Sequence, residues 1–399
     1  MSDDLIIVGG GPAGVMAGLL FARAGCQVRI LEKHKDFFRD FRGDTVHPST
    51  MEILDQLGLL KDFLQRPHNR LDKAQLRVAG RDWTIGDLSH LDTPAPFIAM
   101  MPQWDFLDFL RDHAAPYPGF NLEMERPVEA FVEESGRITG VRLENGETLK
   151  AKLIIAADGR TSIARALLPV EDLGAPMDVF WFRLGKSEAQ EGALRGNVEP
   201  GRLLVMIDRG DYWQCAFLIP KGAAQAYLDR GIEVIREEVA KAAPPGLDLK
   251  DLDDISDLHL LTVKLDRLER WHRPCLLAIG DAAHAMSPIG GIGINLAIQD
   301  AVATANILAG PLSRGDDVDG LLSRVQDRRM WPTKVIQAGQ KAAQDRLIGR
   351  ILQIDKPITE APLFVRLLDR YPVLRRIPGR IIGLGVRRER VRSPLAPKR

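Results

Sequence analysis

Short apolar runs that end in glycine alternate with helix-spaced segments along most of this 399-residue chain. Leu5-Ile6-Ile7-Val8 reads as a buried parallel strand. The turn Gly9-Gly10-Gly11 follows, then a helix over residues 13–24, with Gly25 as its stop. A second strand over residues 27–31 ends at Glu32 and completes a βαβ start. Met51, Ile53, Leu54, Leu57 and Leu60 give residues 50–60 helical spacing, whereas residues 71–102 alternate in short pieces, as antiparallel strands do. Helical spacing returns at 105–113, and residues 138–149 read as a hairpin about Glu144-Asn145-Gly146. Buried strands at 153–157 and 275–279 run into Asp158-Gly159 and Gly280-Asp281. Between them lie strand-like runs at 179–184, 203–207 and 213–219 and a helix near 233–242; helices dominate after them. The pattern predicts an α/β fold in which the chain returns three times to a parallel-sheet domain, with a mainly antiparallel β region inserted twice.

Composition narrows this picture without redirecting it. A length of 399 residues with 45% apolar and 27% charged residues predicts a globular protein with two domains or an interleaved pair. Lys+Arg and Asp+Glu are both 54, so no global field favours nucleic acid or an anionic membrane. Cys26, Cys215 and Cys275 are far apart, which argues against a disulfide framework or a metal site and fits a reducing cytoplasm. Residues 5–22 carry no charge, but the glycines and Pro12 break that run into strand, turn and helix. No transmembrane span is expected.

Three segments carry chemistry. Gly9, Gly11 and Gly14 have dinucleotide-fingerprint spacing: a tight turn, close backbone approach to a pyrophosphate, and close helix–strand packing. Pro12 and Ala13 open the helix whose free N–H groups would meet the phosphates. Glu32, eighteen residues after Gly14, is placed to accept from adenosine ribose hydroxyls. Alone, this motif does not separate FAD from NAD. Asp158-Gly159 stands at the carboxyl end of a strand, where ligands bind; Asp158 could equally cap a helix over 160–166. In the third segment Asp281 can accept from a sugar or ribityl hydroxyl, and Pro288 stiffens the following turn. Gly290, Gly291 and Gly293 then leave bare backbone where a helix begins at Ile294-Asn295, a start that would stabilise negative charge on a neighbouring ring.

Together, over residues 5–308, these segments resemble the class A, single-component FAD-dependent monooxygenases, the group of p-hydroxybenzoate hydroxylase and the ubiquinone-biosynthesis hydroxylases. The resemblance implies that the first motif holds the ADP half of FAD, that Lys33 and Val128 are cofactor-binding, and that Asp158-Gly159 serves both FAD and the nicotinamide cofactor. It implies that Gly280-Asp281, with Pro288, Gly291, Gly293, Ile294 and Asn295, meets the ribityl and pyrophosphate region or the flavin. Arg42 and Gln103 match cofactor-contacting positions, and Arg165 matches an arginine closing the Asp-Gly segment. The implied reaction uses NADH or NADPH to reduce FAD, and O2 to form a C4a-hydroperoxide that gives one oxygen atom to the substrate. No second fingerprint offers the nicotinamide its own domain. The implied domains are FAD-binding parts at 1–72, 98–176 and 265–335, substrate-domain parts at 73–97 and 177–264, and a C-terminal helical segment at 336–399.

Catalytic candidates are His47, in a loop implied to run near the flavin edge, with Pro288 and Gly291; His47 could also be a surface or first-turn histidine. His284 is read as a structural hydrogen-bonding residue rather than a general base. Met100, Trp181, Met206, Trp213, Cys215 and Phe217 are candidates for an apolar substrate pocket, with sheet core as the alternative. Such a lining favours a small hydrophobic substrate, aromatic or polyketide-like. Trp213 and Ile219-Pro220 are similar to a halogenase motif, but the spacing is too long and its second tryptophan is absent. A flavin-dependent halogenase or reductase, or a non-catalytic flavin- or ligand-binding protein, therefore stands as the alternative. The basic C-terminus, from Arg366 to Arg399, interleaves arginines with apolar residues. It could touch an anionic membrane peripherally or pack back on the protein, and Pro372, Pro378, Pro394 and Pro397 argue against one long membrane-lying helix. A monomer or homodimer is expected.

Overall fold

The structure, a computed structural model, describes residues 3–38, 45–186 and 194–396. Its first layer is a parallel sheet with spatial order Phe120–Glu123, Val28–Leu31, Asp3–Val8, Thr148–Ala156, Leu276–Ala278. Ile6 and Ile7 lie opposite Ile154 and Ile155, and all four side chains are fully buried. Helices cover both faces of such a sheet, which is why its strands read as continuous apolar runs. His272–Arg273 adds an antiparallel edge, and Thr148–Ala156 continues into a meander with Arg137–Leu143 and Val128–Glu134.

The helix Pro12–Arg23 packs on this sheet so closely that a Cβ at Gly18 would lie 2.4 Å from Ile30 Cδ1. The uncharged stretch of residues 5–22 thus forms strand, turn and buried helix. One helical segment, Ile289–Ser313, is long and apolar enough to cross a membrane, and 83% of its most apolar window is buried in the core.

A second sheet runs His259–Leu261, Met177–Gly185, Tyr212–Pro220, Arg202–Asp208, Leu194–Glu199, Lys73–Val78, Arg81–Asp87. Its pairs are antiparallel except Leu194–Glu199 with Lys73–Val78, where the two inserted stretches meet in parallel. Two small sheets, Thr45–Val46/Ile98–Met100/Asn69–Leu71 and Val170–Asp172/Asp266–Leu268/His284–Ala285, join the layers.

Two expectations change. The helix expected over 50–60 starts at Pro48 and stops at Gln56, because Gly58 turns the chain at φ 75°; Leu60–Phe63 is a separate turn. The boundary expected at 335/336 falls inside the continuous helix Asp319–Ala343. The independent C-terminal elements are Leu363–Arg370 and Arg376–Leu384.

Candidate functional site

Each glycine of the fingerprint meets a different steric demand. Gly9 sits at φ 103°, and a Cβ there would lie 2.5 Å from the Ala157 carbonyl oxygen. A Cβ on Gly14 would lie 1.9 Å from the Gly9 carbonyl oxygen, so helix and turn touch through bare backbone. Gly11 differs. It precedes Pro12 with extended backbone, and a Cβ on it would meet nothing within 4 Å. The helix beyond has no acid in its first turn, leaving its N–H groups facing that open space. Glu32, buried at the end of its strand, accepts from the backbone N–H of Gly10 at 2.8 Å and of His34 at 3.1 Å. The Arg126 N–H donates to the Glu32 carbonyl, which draws the strand starting at Val128 alongside. Lys33 is exposed beside them.

The second segment bends back to the third. Asp158 Oδ2 accepts from the Ile163 N–H at 3.0 Å, while its buried Oδ1 has no donor among the described residues. Burial pushes this carboxyl above its ordinary range, against donors at Ser162 and Ile163. The local helix is capped by Ser162 and spans only Ile163–Ala166. Gly159 turns at φ 83° with open space around it. Arg160 Nη2 then reaches Asp281 Oδ2 at 3.0 Å, and Arg165 Nη2 donates to the Asp281 carbonyl at 2.9 Å. Arg165 also pairs with Asp266 at 2.9 Å.

Gly280 is where the first and third segments meet. At φ 58° its backbone is wedged so that a Cβ would lie 3.1 Å from both Ala13 and Ala297, one on each dinucleotide-facing helix. Pro288 opens the turn Ile289–Gly291, and Gly291, at φ 62°, presses on Thr45. A Cβ on Gly291 would lie 2.4 Å from Thr45 Oγ1, which donates to the Gly291 carbonyl at 2.8 Å. Gly293 begins the helix Gly293–Ser313, again with no acid in the first turn. Ile294 is half-buried. The Asn295 side chain is spent on the protein: Oδ1 accepts from the His47 N–H and Thr50 Oγ1, each at 2.8 Å, and Nδ2 donates to the Thr45 and Gly291 carbonyls. Only its backbone is left to face a cofactor.

Behind Gly280 lies a buried polar cluster that sequence reasoning reached only at His284. Asp300 accepts from His284 Nε2 at 2.6 Å, Arg329 Nε at 2.8 Å and the Gly280 N–H at 3.1 Å, with the three side chains fully buried. Burial raises a carboxyl, but the neighbouring His284 and Arg329 outweigh it and hold Asp300 below the usual range. Glu389 stands 3.4 Å from Arg329 and takes Arg328 at 2.6 Å. A second set, Gln337, Gln340 and Gln344, bonds the backbone of Ala285, Ser287 and Ile289 and the Ser287 hydroxyl. Their spacing of three and four puts one amide per turn on one helix face, the only trace they leave in the sequence.

His47 is fully buried, not at the surface. Its Nδ1 lies 2.8 Å from the Ile382 carbonyl, and since a carbonyl only accepts, Nδ1 carries the proton. Nε2 is therefore a bare acceptor, and it has no partner among the described residues. Burial lowers the imidazole pKa to about 4, against the Ile382 hydrogen bond, so the ring is neutral at pH 7.

Four candidate pocket residues move. Met206, Trp213, Cys215 and Phe217 are buried with Ile235, Val239 and Ala242 of the helix Ile232–Ala242, which covers one face of the seven-stranded sheet. They form the core between sheet and helix and do not line a pocket toward the parallel-sheet domain. Strand alternation named the face correctly but not what covers it. Trp181 lies on the other face, clustered with Met100, Val205, Ile207, Ile382 and Leu384. Its indole Nε1 is buried without a partner. Gln103 opens the helix Gln103–Ala114 half-buried; Arg42 lies outside the described residues.

These residues fit FAD: an open approach at Gly11, two acid-free helix starts around Gly280, a fixed Glu32 and a donor-seeking Asp158 Oδ1. Residues 3–339 match the family described as FAD binding domain. The chain is 32% identical to 6-methylpretetramide 4-monooxygenase of Streptomyces rimosus, across 98% of this chain and 94% of that protein. It is 25% identical to a para-nitrophenol 4-monooxygenase of a Pseudomonas species, across 82% and 83%. The solved p-nitrophenol 4-monooxygenase of Pseudomonas putida superposes with a TM-score of 0.74 at 19% identity, covering 96% of this chain and 95% of that one. The chain belongs to the FAD-binding-domain family of class A flavoprotein monooxygenases and is an FAD-dependent oxidoreductase.

Proposed function

We propose that this enzyme uses NADH or NADPH and O2 to insert one oxygen atom into a hydrophobic aromatic or polyketide-like compound in the cytoplasm. The observation that carries the reading is Gly280, squeezed between Ala13 and Ala297, which joins the first and third glycine segments, while Gly9 against Ala157 and Arg160 on Asp281 bring in the second. The two relatives, a 6-methylpretetramide 4-monooxygenase and a para-nitrophenol 4-monooxygenase, support the substrate class.

FAD bound there supplies the electron transfer from the nicotinamide to O2 and the activation of oxygen for transfer. The chain's own part is electrostatic and steric. The start of the helix Gly293–Ser313 offers unpaired N–H groups to negative charge developing nearby. Trp181, Met100, Val205 and Ile207 form an apolar layer that excludes water from the substrate side. His47 Nε2, neutral and unprotonated, accepts a hydrogen bond from a hydroxyl on substrate or cofactor and so orients it.

The test is NADH and NADPH oxidation by the FAD-loaded protein, with and without a panel of phenols and polycyclic polyketides. Stimulation by such compounds is expected. Trp181→Ala should raise KM for the stimulating compound about tenfold or more, from lost apolar contact, without lowering the melting temperature comparably to Trp213→Ala. No stimulation by any compound would contradict the reading.

A further inference from the structure

Two short helices toward the C-terminus lie over the second sheet, and their outward faces share one pattern. Leu363, Leu367 and, just past the first helix, Tyr371 recur every four residues and are exposed; so do Val373, in the turn Pro372–Arg375, and Ile377 and Ile381 on the second helix. Leu363, Val373 and Ile377 are 65%, 63% and 60% exposed, far beyond scattered surface leucines. Beside each apolar stripe runs an arginine stripe at the same spacing, Arg366 and Arg370, then Arg376 and Arg380. Four residues is about one helical turn, so each helix presents a strip of apolar side chains edged by guanidinium groups.

The inward faces are fixed. Val365 is fully buried under the first helix. On the second, a Cβ at Gly379 would lie 2.0 Å from the Asp87 carbonyl oxygen, and one at Gly383 would lie 2.7 Å from Leu91. The apolar outer strip is thus held out in the folded protein and does not arise from a loosely docked tail. Residues 363–384 contain five arginines and one acid, Asp369, which is taken up by Arg375 at 3.0 Å and Arg81 at 3.2 Å. Arg366 has the exposed Glu360; Arg376 and Arg380 have no carboxylate partner among the described residues.

We infer that this face, Leu363 to Ile381, docks the enzyme on an anionic lipid surface, with the apolar strips in the headgroup–acyl boundary and the arginines on the phosphates. Lipid matches both halves of the pattern: long arginine stems lie along apolar surface while their heads reach anions. A second copy of the chain matches only one half. A two-fold interface sets the same patch against itself, opposing the unpaired Arg376 and Arg380 to their own equivalents. The docked helix also carries Ile382, whose carbonyl holds His47, so the lipid-facing element borders the site.

The test is flotation of the FAD-loaded full chain with phosphatidylcholine vesicles containing roughly a third phosphatidylglycerol, against vesicles of phosphatidylcholine alone. Binding to the anionic vesicles only, released by salt, is expected. Ile377→Ser with Ile381→Ser, and separately Arg376→Glu with Arg380→Glu, should each weaken it at least about tenfold. Because the second helix borders His47, Leu363→Ser with Leu367→Ser on the first helix supplies an independent variant with the same expected loss. Trp331→Ser, at an exposed residue outside these helices, should leave it unchanged. No flotation at low salt, or flotation indifferent to all three double variants, would overturn the inference. So would a concentration-dependent dimer that these variants dissolve, which would assign the face to a second copy.

Discussion

Gly11→Ala separates holding a cofactor from merely folding. The added methyl group meets nothing among the described residues within 4 Å, and the backbone at φ −74° and ψ −176° suits alanine. At the residue before the helix, alanine costs about 0.5–1 kcal/mol relative to a good cap, and a stiffer unfolded chain returns about 0.4–1 kcal/mol. The flavin-free protein should therefore melt within about 1 kcal/mol of wild type. Bound pyrophosphate must instead retreat from the methyl group and lose at least one charge-assisted hydrogen bond to the helix start. At about 1.5–3 kcal/mol, that is roughly 10- to 150-fold in Kd. Gly14→Ala makes the contrast. Its methyl group would lie 1.9 Å from the Gly9 carbonyl oxygen, and such overpacking destabilises by about 1–3 kcal/mol or more even without FAD. Thermal melts of the flavin-free forms and titration of FAD by flavin fluorescence give both numbers. Wild-type FAD affinity in Gly11→Ala would refute the placement of the pyrophosphate. So would flavin-free Gly11→Ala melting as low as Gly14→Ala.

Asp300→Ala leaves Arg329 buried with Glu389 at 3.4 Å and the Arg387 carbonyl at 3.2 Å, and takes the acceptor from the Gly280 N–H. Urea unfolding should show a loss of about 3–5 kcal/mol, with weaker FAD retention; a loss under about 1 kcal/mol would mean the cluster does not brace Gly280. His47 should leave a signature in acid. Its pKa falls from 6.5 to about 4 on folding, so between those values the unfolded chain binds a proton that the folded one refuses. The stability this contributes is complete above pH 6.5 and is lost as pH drops toward 4, about 3 kcal/mol in all. His47→Gln should flatten that part of the stability–pH curve, and an unchanged slope would place a different group behind it.

The parallel sheet and its glycine turns were legible because steric demand there selects residue type. Only glycine fits at Gly9 and Gly14, and only apolar strands survive burial on both faces. Sheet faces were half-legible: Trp213, Cys215 and Phe217 alternate as one row, but alternation carries no information on which layer covers the row. The supports of the site were not legible. Gln337, Gln340, Gln344 and Arg329 are polar residues on a long helix, and sequence spacing alone cannot tell a buried polar stripe from a solvated one. The C-terminal helices show the reverse: their proline breaks were read, yet whether the apolar side faced in or out needed Gly379 and Gly383 in place against Asp87 and Leu91.

The central claim, that this flavoenzyme transfers oxygen to an aromatic or polyketide-like compound, is tested most directly with labelled dioxygen. The FAD-loaded protein, a nicotinamide donor and a compound that stimulates its oxidation are incubated under 18O2, and the product is weighed by mass spectrometry. One 18O atom per product molecule is the predicted result. Nicotinamide oxidation with all the label recovered as hydrogen peroxide or water, and none in any product, would contradict it.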